Sequence, residues 1–205
     1  MKHPILYVHG KGGSAKEAEH YSQLLPTCEV VGIDYAAKTP WEARAEFPRL
    51  LAALPEPELP RILIANSIGA YFSMCALPQA KIEKAFFISP VVNMEQLILD
   101  MMRWAGVSEA DLREQKRIET TFGETLSWEY LCDVRSHPVR WEVPTEILYG
   151  AGDHLAPPQV IAAFADEHHA GLTVMPDGEH WFHTAEQMAF LDQWLSRLLQ
   201  TDKTP

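Results

Sequence analysis

One serine of this chain, Ser67, lies in a segment typical of a nucleophile at a sharp turn between a strand and a helix. Residues 65–69 read Ala-Asn-Ser-Ile-Gly, with an apolar run before them and an apolar, helix-compatible run after them. The backbone folds back on itself at such a turn, so the flanking positions must be very small, as Ala65 and Gly69 are. The turn also directs the Ile68 amide at the atom that the hydroxyl attacks. The segment therefore indicates nucleophilic catalysis; the ordinary alternative is a βα turn with a serine N-cap.

Two further residues carry the side chains that a serine nucleophile requires. A serine hydroxyl needs a base within hydrogen-bond reach, and that base needs a partner that orients it and stabilises its charged form. Working groups in a parallel α/β sheet collect at the carboxyl ends of the strands. Asp153 follows one predicted strand in Gly-Ala-Gly-Asp, and His180 follows the next in Asp-Gly-Glu-His. Ser67, Asp153 and His180 are therefore the candidate catalytic residues.

Other histidines and aspartates compete for these roles. Asp34 ends a predicted strand, Asp177 lies three residues before His180, and His183 lies three residues after it. Turn-forming or structural roles suit these three residues better than catalysis. His9, which precedes a glycine-rich loop, is expected to brace that loop.

These residues must be positioned by a sheet, and six short apolar runs are predicted to be its strands. A helical stretch separates each strand from the next, apart from one longer insertion. This alternation predicts the α/β class, with a mostly parallel six-stranded sheet covered by helices on both faces. Ser14 and Glu17 form a predicted capping box, and the last helix begins near Thr184. The predicted strands are residues 5–8, 30–33, 61–64, 84–88, 145–149 and 172–175.

The insertion covers residues 91–143 and shows helical but no strand patterning. It is rich in methionine and aromatic residues, and we expect it to pack over the ends of the strands of a single domain, residues 1–205. Met101, Trp104 and Trp128 are its candidate substrate-pocket residues. The alternative is that they only stabilise a small helical subdomain.

Composition and charge exclude several functions. The 205 residues are 47% hydrophobic and 22% charged, which are ordinary globular values, and the net charge is −11. An acidic chain is a poor partner for nucleic acid or an anionic membrane, since both need a basic face. Three widely spaced cysteines without CxxC spacing argue against a disulfide framework or a zinc site. With no signal peptide or membrane-spanning run, we expect a soluble cytoplasmic protein.

Four segments together resemble the α/β-hydrolase superfamily, in particular small serine hydrolases of the carboxylesterase kind. They are the glycine loop 9–14, the serine turn 65–69, the run 144–153 and the segment 178–180, each after a predicted strand. The order Ser, Asp, His is also that of the family. The family's sheet usually begins with two further strands that have no counterpart here, so the chain looks like a trimmed version. The insertion stands where the family places its lid.

The resemblance implies a role for each matching residue. Ser67 would be the nucleophile, His180 the general base and then acid, and Asp153 its orienting carboxylate. The backbone amides of Lys11 and Ile68 would form the oxyanion hole. The activity implied is hydrolysis of a small-molecule carboxylic ester or thioester through an acyl-enzyme, without a metal or organic cofactor.

Three alternatives stay open at this stage. The same triad would serve an acyltransferase or an amidase, because it determines acyl transfer and not its partners. A non-catalytic binding protein can use the same scaffold, since fold does not imply function. A nucleotide-binding module also suits the alternating pattern, but the chain has neither common phosphate-loop motif. Oligomeric state is not predicted.

Overall fold

The computed structural model describes residues 3–201, and at its centre is one sheet of six parallel strands. The described residues form eight strands and eight α-helices. The strands are β1 (His3–Val8), β2 (Cys28–Gly32), β3 (Arg61–Asn66), β4 (Ile82–Ile88), β5 (Arg117–Glu119), β6 (Thr125–Ser127), β7 (Thr145–Gly150) and β8 (Gly171–Met175). The helices are α1 (Ala18–Leu24), α2 (Pro40–Ala52), α3 (Ile68–Ala76), α4 (Met94–Ala105), α5 (Glu109–Gln115), α6 (Trp128–Ser136), α7 (Pro158–Glu167) and α8 (Ala185–Thr201).

The strand order in the sheet is β2-β1-β3-β4-β7-β8, and every neighbouring pair is parallel. All six predicted strands are confirmed, as is the α/β class. Since the strands run the same way, the loops after β1, β3, β7 and β8 emerge at one edge of the sheet. Those loops carry every residue predicted to act in catalysis.

The two faces of the sheet bury separate hydrophobic cores. Alternate residues of a strand point to opposite faces, so Leu6 and Val8 pack in one core while Ile5 and Tyr7 pack in the other. Helices α1 and α8 cover the second core, and α2, α3 and α7 cover the first. Strands buried on both faces need apolar residues at nearly every position, which explains the short continuous apolar runs of the sequence.

The insertion between β4 and β7 contains strands as well as helices. Its helices begin as predicted at Asn93 and Ser108, whose side-chain oxygens accept the N–H groups of Gln96 (3.0 Å) and Asp111 (3.1 Å). The prediction that it lacks strands is wrong, because β5 and β6 pair as an antiparallel hairpin. Each of these strands has only three residues, too few for an alternating pattern to be legible.

One ion pair joins this insertion to the helices that cover the sheet. The guanidinium of Arg44 in α2 donates to the carboxylate of Asp133 in α6 at 2.5 Å. Trp41 of α2 also meets Tyr130 of α6 edge to face, with 5.8 Å between ring centroids. The insertion is therefore packed on α2 through both polar and aromatic contacts.

Candidate active site

Ser67 has a strained backbone at the turn between β3 and α3. Its φ of 50° and ψ of −122° lie where L-residues are rarely found. Neighbours from β4 and the loop after it maintain this conformation. The Ser67 N–H donates to the Ile88 carbonyl at 3.0 Å, and the Ser67 carbonyl accepts the N–H of Val91 at 3.1 Å. Such strain persists only where surrounding structure enforces it, and it commonly marks a functional position.

The small residues flanking Ser67 are required by close backbone contacts. A Cβ on Gly69 would lie 2.3 Å from the carbonyl oxygen of His9, far inside van der Waals contact. At the other flank Ala65 is fully buried in the core, where its methyl group fits. Glycine is therefore needed after the serine, whereas alanine is accommodated before it. The same proximity brings the loop after β1 against the serine.

Ser67, His180 and Asp153 form one continuous chain of hydrogen bonds. Ser67 Oγ lies 2.7 Å from His180 Nε2, and His180 Nδ1 lies 2.7 Å from Asp153 Oδ2. An ionised carboxylate can only accept, so Nδ1 carries the proton and Nε2 is left to accept from the serine hydroxyl. The Asp153 side chain is completely buried, while 21% of the His180 side chain is exposed. His180 therefore faces Ser67 with its proton-accepting nitrogen, Nε2, and faces Asp153 with its protonated nitrogen, Nδ1.

The loops that carry Asp153 and His180 are held together by direct backbone contact. Gly152 donates its N–H to the Gly178 carbonyl at 2.8 Å. A Cβ on Gly150 would lie only 2.4 Å from the Gly178 carbonyl group, so a side chain there would push the loops apart. Asp153 is oriented further by its other oxygen, Oδ1, which accepts backbone N–H groups at 2.8 and 3.2 Å. These contacts determine the geometry of the acid–base pair.

The loop between β1 and the first helical turn lies beside the nucleophile. His9 is stacked on Tyr35 with 4.2 Å between ring centroids, and Tyr35 Oη donates to the His9 carbonyl at 2.8 Å. Burial raises the pKa of Tyr35, which keeps its hydroxyl protonated as a donor. Ile68 is the first residue of α3, so its N–H has no acceptor within that helix. The start of α3 and this loop offer amides and a helix dipole suited to an oxyanion.

A polar network beneath the serine turn, in which Tyr7 is buried and Glu17 is exposed, was not foreseen from the sequence. Tyr7 Oη donates to a Glu17 carboxylate oxygen at 2.5 Å and accepts from Asn66 Nδ2 at 3.1 Å. The other Glu17 oxygen accepts the Ser14 N–H at 3.0 Å. The network therefore joins the residue before Ser67 to the loop after β1. The sequence predicts Glu17 only as a helix-capping partner. The signal that could have revealed the network is a polar residue near the end of each of two adjacent strands, Tyr7 in β1 and Asn66 in β3.

We expect Tyr7→Phe to lower both stability and turnover. Loss of the hydroxyl removes a partner from the partly buried Asn66 amide and from the exposed Glu17 carboxylate, which water can solvate. The cost is therefore that of one typical hydrogen bond, about 1 kcal/mol. Urea unfolding should show a loss of about 1 kcal/mol, and ester turnover should fall with it. Tyr71→Phe, which removes a phenol hydroxyl in the other core, is the matched control and should leave turnover unchanged. Equal turnover in Tyr7→Phe and the parent protein would contradict a link between this network and the site.

The three residues predicted to line a pocket occupy different environments. Trp104 is 54% exposed and packs edge to face on Phe122, whereas Met101 is partly buried against the core. Trp128 has the guanidinium of Arg113 over its ring at 5.9 Å. The ring contacts seen for both tryptophans are with other residues of the insertion. A direct role in substrate binding stays a prediction for all three.

His183, a competing candidate for the base, is hydrogen-bonded within its own loop. His183 is stacked on the exposed ring of Trp181, and its Nδ1 lies 2.7 Å from the Trp181 carbonyl.

The three cysteines are free. Among the residues that the structure describes, no group of three or more His, Cys, Asp or Glu side chains could hold a metal ion. Nor does any helix within 3–201 have the length and apolar character needed to cross a membrane.

The strand order, the serine turn after β3 and the later loops define the α/β-hydrolase fold. The sequence matches no protein-family model and no curated protein. Solved structures of this fold do superpose on it along nearly the whole chain. The alpha/beta hydrolase domain-containing protein 10 from mouse has a TM-score of 0.75 at 15% identity, covering 97% of this chain and 90% of that one.

Two further solved structures extend the comparison. Est1E from Butyrivibrio proteoclasticus has a TM-score of 0.72 at 16% identity, covering 98% of this chain and 89% of that one. A thioesterase domain from the curacin biosynthetic pathway has a TM-score of 0.59 at 15% identity, covering 95% and 91%. At these identities the likeness establishes the fold and leaves the reaction to be argued from the site.

Proposed function

We propose that this protein is a serine hydrolase that cleaves a carboxylic ester or thioester through Ser67, His180 and Asp153. The observation that carries the proposal is the unbroken hydrogen-bond chain of 2.7 Å from Ser67 to His180 and 2.7 Å from His180 to Asp153. A protein that only binds has no need for a strained serine with a correctly oriented base. The fold of a thioesterase domain, shared along most of the chain, is consistent with acyl chemistry.

The reaction follows from the roles that this geometry allows. His180 Nε2 takes the proton of Ser67 Oγ as the oxygen attacks the substrate carbonyl, and Asp153 stabilises the imidazolium. The oxyanion of the tetrahedral intermediate is bound by the amides of Lys11 and Ile68. His180 then protonates the leaving alcohol or thiol, and an acyl-enzyme remains on Ser67.

Deacylation reverses these steps with water as the nucleophile. His180 removes a proton from the water as it attacks the acyl carbonyl, then returns a proton to Ser67 as the acid leaves. Each step uses side chains and amides of this chain and calls for no metal or organic cofactor. The insertion, residues 91–143, would cover the site as a lid, with its methionines and tryptophans against an apolar substrate group.

Covalent labelling tests this proposal most directly. A fluorophosphonate probe should label the protein once, at Ser67, and Ser67→Ala should not be labelled. p-Nitrophenyl acyl esters and acyl thioesters of graded chain length should be hydrolysed, which would also define the preferred acyl group. Product analysis with added alcohols or amines separates hydrolysis from acyl transfer. A protein that binds esters but neither reacts with the probe nor turns them over would be a binding protein on this scaffold.

A further inference from the structure

The loop after β1 is restrained at both ends by the main domain. At one end His9 is stacked on Tyr35, and at the other Ser14 donates its N–H to Glu17 at 3.0 Å. Between them Gly12 has a φ of +77° and no atom within 4 Å of the position a Cβ would take. Glycine with open space around it contributes little rigidity. One backbone hydrogen bond closes the turn, from the Gly13 N–H to the Gly10 carbonyl at 3.2 Å. A restraint from outside the loop would add to this bond and limit movement of the apex.

The side chain of Lys11, next to Gly12, supplies that restraint. Its Nζ donates to both carboxylate oxygens of Glu124, at 2.5 and 2.6 Å. Glu124 lies 113 residues away, in the turn between β5 and β6 of the insertion. The contact thus connects the insertion to the loop after β1, which would supply an oxyanion-hole amide.

The turn that carries Glu124 is itself tightly bonded. The Glu124 carbonyl accepts the Thr120 N–H at 2.8 Å and the Thr120 hydroxyl at 2.7 Å. The Glu124 N–H in turn donates to Thr120 Oγ1 at 3.0 Å. Leu126, two residues on, is buried in the core, so the hairpin is fixed to the body of the protein. Glu124 is therefore presented by a defined backbone.

We propose that Glu124 is a positioning residue: by holding the Lys11 side chain, it fixes the Lys11 amide in the oxyanion hole. The inference rests on the proposed function, because it assigns that amide to the transition state. Both side chains are well exposed, at 66% and 41%, and exposed ion pairs add little to folding stability. Stabilisation of an oxyanion depends on donors held in place before the reaction. The effect should therefore appear in the rate and leave unfolding nearly unchanged.

The proposal differs from a direct electrostatic role for the Lys11 ammonium group. If that positive charge acted on the oxyanion, removing Glu124 would unmask it and raise the rate. If Glu124 positions the loop, removing either partner lowers the rate. Exchanging the two charges should then restore it, since the ion pair is re-formed with opposite polarity.

The test compares Glu124→Leu, Lys11→Met and the exchanged pair, Lys11→Glu with Glu124→Lys. We expect each single variant to lower kcat and the affinity for a trifluoromethyl ketone roughly fivefold, the order of an exposed ion pair, with unchanged KM. The exchanged pair should recover most of both. Glu114→Leu, on α5 of the same insertion, is the matched control and should resemble the parent protein. Unchanged or faster turnover in Glu124→Leu would overturn the proposal.

Hydrogen exchange separates failure of this inference from failure of the proposed function. The amides of residues 10–13 should exchange faster in Glu124→Leu than in the parent protein, whatever the reaction is. A parent protein inert to the fluorophosphonate probe and to esters would refute the hydrolase function. Unchanged exchange at residues 10–13 in Glu124→Leu would refute the positioning role.

Discussion

Ser67→Ala and His180→Ala are each expected to lower kcat for an acyl ester by about 10⁴- to 10⁶-fold, because nucleophile and base act as a unit. The loss should be in kcat, since neither side chain is needed to bind the rest of the substrate. The double variant should be little worse than either single one, because the unit has already been disabled.

Asp153→Asn should be less severe but still lose about 10⁴-fold. The Asn amide can donate to Nδ1, which favours the tautomer whose Nε2 carries the proton and cannot accept it from Ser67. Steady-state kinetics on a p-nitrophenyl ester measures all three variants, and circular dichroism controls for folding. Turnover in Ser67→Ala within tenfold of the parent protein would exclude Ser67 as the nucleophile.

Gly69→Ala is expected to destabilise the fold strongly. The new methyl group would lie 2.3 Å from the His9 carbonyl oxygen and 2.9 Å from the Val8 carbonyl oxygen, and both are backbone atoms that cannot rotate away. Overpacking of this kind costs about 1–3 kcal/mol, and here we expect the upper end of that range. The shift would also separate the loop after β1 from Ser67, so activity should fall further than stability alone explains.

Urea denaturation and ester kinetics together test this prediction. The matched control is Gly106→Ala at the end of α4, where φ is +66° and no atom lies within 4 Å of the new Cβ. That control carries backbone strain without a clash, so it should lose about 1 kcal/mol of stability and keep its activity. Equal behaviour of the two variants would show that the close contact at Gly69 is relieved without cost.

Much of the fold was predictable because its signals are local. The four inner strands of the sheet, β1, β3, β4 and β7, are largely buried on both faces and therefore appear as continuous apolar runs. The edge strands β2 and β8 are more exposed but are still rich in apolar residues. Helix starts were readable from caps such as Asn93 and Ser108, whose side chains bond the backbone three residues on. The β5–β6 hairpin was not readable, since it has three residues per strand and depends on the turn at Thr120 and Glu124.

The sequence by itself determined which side chains are available for chemistry and that each follows a strand. Residue type, spacing and order along the chain carry that information, because parallel strands must end at one edge. Only the tertiary structure decided which atoms meet. The Ser67–His180 contact, the Tyr7–Glu17–Asn66 network and the Lys11–Glu124 ion pair join residues from separate elements. Such contacts depend on how helices, loops and the insertion pack in three dimensions, and that packing leaves no periodic trace in the chain.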